Sequence, residues 1–203
     1  MSDTATTLGQ PSSATSARER ILDTAYELFS RHGIRSVGID RVIEESGVAK
    51  ATLYRNFASK DELVVEFLRM REERWTKGWL QREVERRAAA PDERLLAIFD
   101  VFHEWFQRDD FEGCSFINVL VEADDHESPV YEATAGHLEA IRGFLSELAG
   151  DAGLARPDDF ARRWHILMKG SIIAAQEGDR DAARRSRQIG EILLARERNG
   201  LLT

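Results

Sequence analysis

The sequence predicts an all-α chain, and three observations carry that expectation. Apolar residues recur at helical spacing along most of the length. Runs rich in Ala, Leu, Glu and Arg are interrupted by only four prolines in 203 residues. No segment sustains the alternation of a half-buried strand. From Ala17, the residues Ile21, Leu22, Ala25, Leu28 and Phe29 share one helical face. Ser16 with Glu19 three residues on predicts a capping box, and His32-Gly33 a stop. Short helices are expected from about Ile39 to Glu45 and from about Lys50 to Asn56, parted by Gly47. Ser59, with Glu62 in the capping-box position, opens a helix that carries Leu63, Phe67, Met70 or Arg71, and Trp75 inward and continues to Arg87. Pro91 opens a helix with Leu95, Leu96, Phe99, Phe102 and Phe106. Gly113-Cys114 interrupts, and Ser115 to Glu122 reads as a short apolar helix. Ser128-Pro129 opens a helix to about Ala149, Pro157 another to near Gly178, and the last runs from about Asp179 to Arg198. The sum is about nine helices.

The totals bound the function classes. The hydrophobic content of 42 % supports a sizeable core. No run approaches the ~18 apolar residues of a membrane span. The start of the chain has neither the basic nor the apolar region of a signal peptide, and residues 1–16, small and polar, are expected to form a disordered tail. The single Cys114 excludes an internal disulfide and fits a reducing cytoplasm, the expected location. The net charge of −8 argues against nucleic acid, yet its distribution is uneven. Residues 16–60 hold eight Lys/Arg against six Asp/Glu, a local balance of +2, and two of the four lysines, Lys50 and Lys60, fall there.

The most informative stretch runs from Ser36 to Leu63. A helix-turn-helix needs two short helices, a tight turn that suits glycine, and apolar residues that seat one helix on the other. Gly47 supplies the turn, Val42, Val48 and Leu53 the seat, and the first helix completes a small core. The second short helix then turns Lys50, Ala51, Thr52, Arg55 and Asn56 outward, side chains that suit base edges and phosphates.

Gly47-Val48, Leu53-Tyr54 with Phe57, and Ser59-Lys60 with Leu63, together with Gly33, resemble the TetR/AcrR family of helical repressors over residues 17–65. The resemblance implies that the helix from Lys50 lies in a major groove, with Ala51 and Thr52 at the bases and Lys50, Tyr54 and Lys60 on phosphates. Arg41, Arg55 and Asn56 are further candidates on the same grounds. Two positions depart from the family pattern: Val37-Gly38 stands where a Thr or Ser usually caps the helix, and Ile43 replaces a small alanine. The implied architecture is a three-helix DNA-binding domain over 17–62 and a helical ligand-binding and dimerisation domain over 63–203.

In that second part, the helix from Pro157 is apolar on two faces. Phe160, Trp164, Leu167, Met168, Ser171, Ile172 and Ala175 form one, and Ile166, Gly170, Ile173 and Ala174 the other. Such a helix is buried on both sides. With Ile189 and Leu193 of the last helix, the second face predicts a two-fold homodimer; burial within the chain is the alternative. A small-molecule pocket is expected among Phe99, Phe102, His103, Phe106, Cys114, Phe116, Asn118, Glu122, Trp164, His165 and Met168, which mix aromatics with a few polar groups. Taken singly, such aromatics are more often core. Cys114 reads as a buried, inert thiol rather than a redox sensor.

The competing class is a helical bundle that binds a metal or small molecule, or an enzyme without DNA contact. Its metal-carboxylate form needs Glu-x-x-His on two helices; the nearest match, Asp100 with His103, stands alone. The acidic run Glu122, Asp124, Asp125, His126 and Glu127 reads as a solvated loop. No metal or cofactor is expected. The expected partners are a double-stranded DNA operator and a small-molecule effector.

Overall fold

The computed structural model describes residues 16–122 and 125–200. The tail expected before Ser16 and Asp124 of the acidic run lie outside the described residues. The described chain is built of α1 (Ala17–His32), α2 (Ile39–Ser46), α3 (Lys50–Asn56), α4 (Lys60–Arg71), a π-helical segment (Glu72–Gln81), α5 (Arg82–Arg87), α6 (Pro91–Phe106), α7 (Ser115–Glu122), α8 (Pro129–Asp151), α9 (Pro157–Gln176) and α10 (Ala182–Arg198), with no strand among the described residues.

Local chemistry explains most boundaries. Ser16 Oγ accepts the Glu19 N–H while Glu19 returns a carboxylate to the Ser16 N–H, closing the capping box. At α4, Ser59 Oγ accepts from the Glu62 N–H, but the Glu62 carboxylate reaches one residue further back, to the Ala58 N–H. Prolines occupy the first turn of α6, α8 and α9, where no intrahelical donor is lost. The last helix starts at Ala182 rather than Asp179, because the chain turns at Gly178 and the Asp179 carboxylate binds the Asp181 N–H and Arg185 instead of continuing a helix.

The long helix expected over 59–87 is one rod, since the residues at both junctions keep right-handed helical angles. Its middle third is wound wider than an α-helix. Gly78 permits this: a Cβ there would stand 2.6 Å from the Glu73 carbonyl oxygen, so a side chain would force the turn to rewind. The rod serves two cores. Leu63, Val64, Phe67 and Leu68 join α1, α2 and α3 together with Phe116, Val119, Val130 and Leu138. Leu80 and Val84 join α6, α9, α10 and the C-terminal half of α8. The boundary expected between 62 and 63 therefore falls inside an element that the first core needs.

In the second core α8 packs against α9, and α10 lies against both α6 and α9. Trp164 is its centre, fully buried between Phe160 and Phe99 at ring-centroid distances of 5.2 and 5.3 Å. α10 reaches it through Gly190, where a Cβ would stand 2.7 Å from Trp164 Cη2. Two buried histidines sit nearby. Burial, reinforced by Lys169, Arg142 and His137, holds the His165 imidazole down at about 3. Burial also lowers His137, although Glu72 Oε2 lies 3.2 Å from its Nδ1 and opposes the shift.

Two outcomes follow. Gly190→Ala drives a methyl into the Trp164 ring and should destabilise the chain by about 1–3 kcal/mol, read as a lower melting temperature; an unchanged value would count against the close approach. The second concerns pH. The unfolded imidazoles take up protons near their ordinary 6.5, while the folded ones resist, so acidification favours the unfolded chain. Between pH 6.5 and 5 His165 alone should lower the melting temperature by up to about 3–5 °C per unit, with His137 adding in the same direction, and His165→Leu should flatten that slope.

Candidate DNA-binding interface

The geometry around α3 begins with Gly47. It takes φ 64° and ψ 30°, the left-handed conformation that costs a residue with a Cβ about 1–2 kcal/mol. Nothing lies within 4 Å of a Cβ placed there, so the backbone angle, not space, calls for glycine. The turn sets α3 against α1 and α2, with Leu53 fully buried and Phe57, just past the helix, 1 % exposed. Val37, Val42 and Val48 close the seat. Gly38 begins α2 without a side-chain cap, as its sequence departure implied.

With Leu53 inward, α3 presents Lys50, Ala51, Tyr54 and Arg55 to solvent, Tyr54 being 44 % exposed. Thr52 and Asn56 are half-buried, and Asn56 Nδ2 donates to the Thr52 carbonyl at 2.8 Å, which ties off the C-terminal end of α3. Lys50 approaches Asp40 loosely, at 3.4 Å. Arg41 is held on its own helix by Glu45 at 2.8 Å and meets His32 Nε2 at 3.2 Å.

Lys60 behaves differently from its neighbours. Its half-buried ammonium donates to the Ile34 carbonyl in the α1–α2 turn. Desolvation lowers its pKa, with Asp61 and Glu122 opposing. Glu122 completes this junction. Expected in a ligand pocket, it reaches instead from the end of α7 to the Arg35 N–H, at 3.3 Å, and its Oε1 lies 3.0 Å from where a Cβ on Gly33 would be. Gly33, at φ 76°, leaves that space open. Sequence patterns across 87 positions offer no signal for such a contact.

α1 is clamped onto the rod by three further pairs: Arg18–Glu66 at 2.8 Å, Arg74–Asp23 at 3.0 Å, and Arg71 donating to the Tyr26 hydroxyl at 3.0 Å. Arg18 also covers the Phe57 ring at 5.1 Å.

The other expected pocket residues are placed as follows. Phe99, Phe102, Phe106, Trp164 and Met168 are packed inside the second core, and none lines a described cavity. Large rings at helical spacing fill the bundle rather than framing a space in it. His165 is buried with them, while Asn118 and His103 are only part-exposed, His103 lying 4.0 Å from Asp181. Cys114 and Phe116 do meet small cavities, and burial raises the Cys114 thiol, the opposite of what a reactive cysteine needs. Asp100 pairs with Arg187 at 3.2 Å, and among the described residues no three His, Cys, Asp or Glu groups converge as a metal site. On the α9–α10 side, Ile166 is 66 %, Ile173 41 % and Ile189 54 % exposed; Gly170 is exposed, Ala174 and Leu193 half-buried, and Ile192, one turn along, is 61 % exposed.

A glycine-turned helix pair with a cationic, aromatic outer face, mounted on an all-helical body, defines a helix-turn-helix regulator architecture. Comparison with known proteins narrows it. Residues 21–67 match the family model for bacterial regulatory proteins of the tetR family, and residues 91–189 the tetracyclin repressor-like C-terminal domain. The chain belongs to the TetR family. It is 27 % identical over 135 residues to the HTH-type transcriptional activator FasR of Mycolicibacterium smegmatis, covering 66 % of this chain and 60 % of FasR. It is 32 % identical over 87 residues to the HTH-type transcriptional repressor KstR2 of Mycobacterium tuberculosis, covering 41 % of each. The matched stretches thus span less than two thirds of these relatives. Among solved structures, TetR-family regulators of Streptomyces coelicolor (28 % identity, 89 % of this chain, 95 % of that one, TM-score 0.78) and Streptomyces avermitilis (26 %, 90 %, 98 %, 0.80) share the fold along nearly the whole chain.

Lys60 and Lys50 should part company in unfolding experiments. Lys60→Ala leaves the half-buried Ile34 carbonyl without its charged donor and should lower the melting temperature by a few degrees, from a loss of about 1–3 kcal/mol. Lys50→Ala should leave it within about a degree, because an exposed pair at that distance contributes little. Equal melting temperatures for the two variants would contradict the placement of Lys60.

Proposed function

We propose that the chain is a homodimeric, sequence-specific DNA-binding transcriptional regulator, a repressor released from its operator when a small molecule binds the C-terminal domain. The observation that carries this reading is α3: its apolar side is consumed by Leu53, and its exposed side offers Lys50, Ala51, Tyr54 and Arg55 to a major groove. Ala51 and Thr52 face base edges, Thr52 as a hydroxyl and Ala51 as a methyl. Lys50, Tyr54 and Arg55 hold phosphates, with Arg41 beside them. Lys60 keeps one donor on Ile34 and has two left for a phosphate. Asn56, tied to Thr52, positions the end of α3.

Dimerisation is supported by the isoleucines left on α9 and α10. Ile166, Ile173, Ile189 and Ile192 form exposed large apolar side chains on two adjacent helices, and Gly170 lets a partner helix come close. A second copy covering that face gives an isologous four-helix interface and two recognition helices for a palindromic operator, with half-sites about one helical turn, or a multiple of it, apart. An effector that prefers a dimer with misplaced recognition helices would shift DNA affinity by a coupling of about 1–3 kcal/mol. KstR2 is named a repressor and FasR an activator; a promoter fusion with and without the regulator reads the sign here.

The test is selection on random DNA followed by salt titration of binding. Lys50→Ala should weaken all sequences alike and reduce the salt slope by about one, whereas Thr52→Ala should relax preference at one position. Ile166→Asp with Ile189→Asp should yield monomers by sedimentation and lose operator affinity. A parent chain that enriches no sequence, or that sediments as a monomer at micromolar concentration, would overturn the reading.

A further inference from the structure

Where the second core is filled, the seam between the DNA-binding domain and the body is open. A cleft of about 250 Å³ lies between α1, the rod and the segment after α6. Three indoles stand in its wall: Trp75 and Trp79, one turn apart on the π segment with centroids 5.3 Å apart, and Trp105, 4.8 Å from Trp75. Beside them Arg71 hydrogen-bonds only a neutral phenol, Tyr26, and among the described residues no carboxylate lies within ion-pairing distance of it. The other two arginines of the cleft differ. Arg108 is held bidentately by Asp110, at 2.7 Å for each contact, and Arg31 faces Glu27 at 3.5 Å. Asp110 and Glu112, in the same wall, act on Arg71 only at longer range, and burial raises the Glu112 carboxyl. A half-buried guanidinium with no carboxylate in direct contact, next to flat apolar faces, is a receptor for a planar anion.

We propose that this cleft binds a small aromatic carboxylate, its ring against Trp75, Trp79 and Trp105 and its carboxylate on Arg71. The volume suits one or two fused rings, below the ~300–1,000 Å³ of drug-sized sites. Because Tyr26 belongs to α1 and the tryptophans to the body, an occupant bridges the two parts. It displaces or shares the Arg71–Tyr26 hydrogen bond, one of the three clamps on α1. In that respect the site gives the effector of the proposed repressor a place and a chemistry, and rests on that reading.

Calorimetric titration of the full chain with naphthalene-2-carboxylate, its neutral carboxamide and a naphthyl-trimethylammonium cation tests the assignment. The carboxylate should bind about ten- to a hundredfold more tightly than the carboxamide. Arg71→Gln should erase that preference, and Tyr26→Phe, which releases Arg71 without removing a ring, should preserve it. Equal affinity for the two neutral and anionic probes, preference for the cation, a preference that survives Arg71→Gln, or no binding of any probe would each overturn the proposal. Operator affinity measured with the bound carboxylate separates the two readings: unchanged affinity would leave the cleft as a ligand site and remove its regulatory role.

Discussion

The rod over residues 60–87 has to satisfy two hydrophobic cores at once, and the rest of the structure is arranged around that demand. Its first turns offer Leu63, Val64, Phe67 and Leu68 to the small helix-turn-helix core, and its last turns offer Leu80 and Val84 to the large one. A regular helix advances about 100° per residue, so two faces fixed at opposite ends need not align with both cores. The wider π turn changes the phase between them. Gly78 is where that adjustment is recorded in the sequence.

The same arrangement makes the DNA-binding part an appendage of the body rather than a free module. Phe116, Val119, Val130 and Leu138 of the body lie in its core, and Glu122 holds the turn that precedes α2. α7 and the N-terminal half of α8 thus meet the α1–α2 turn and the small core under α3 through direct contacts, not through a tether.

How much of this the sequence discloses depends on the range of each interaction. The caps at Ser16 and Ser59, the left-handed turn at Gly47 and the exposure of Lys50, Ala51 and Arg55 follow from neighbours within a few positions and were legible, whereas Thr52 and Asn56, expected outward with them, are half-buried. The exposed isoleucines of α9 were legible too, because a helix apolar on two faces declares an unmet surface. Long-range pairings were not. Nothing near Glu122 points to Arg35, and nothing near Lys60 says that its ammonium turns inward to a carbonyl 26 positions away. The ligand site illustrates a different limit. Aromatic spacing singled out Phe99, Phe102, Phe106 and Trp164 correctly as inward, but inward residues fill a core as readily as they frame a cavity. The same spacing reads Trp75 as inward, but nothing in that spacing says that it meets Trp79 and Trp105 at an open cleft, because the π winding between them has no simple sequence signature.

Gly190 sets the distance between α10 and the Trp164 ring, and α10 carries part of the exposed isoleucine face. In a two-fold assembly built on that face, the thickness of this one contact is copied into both halves and enlarged by the lever arm out to α3. A side chain one methyl larger at position 190 would then be measured not in the protein but along the DNA, as a change in the interval between half-sites that the pair can span.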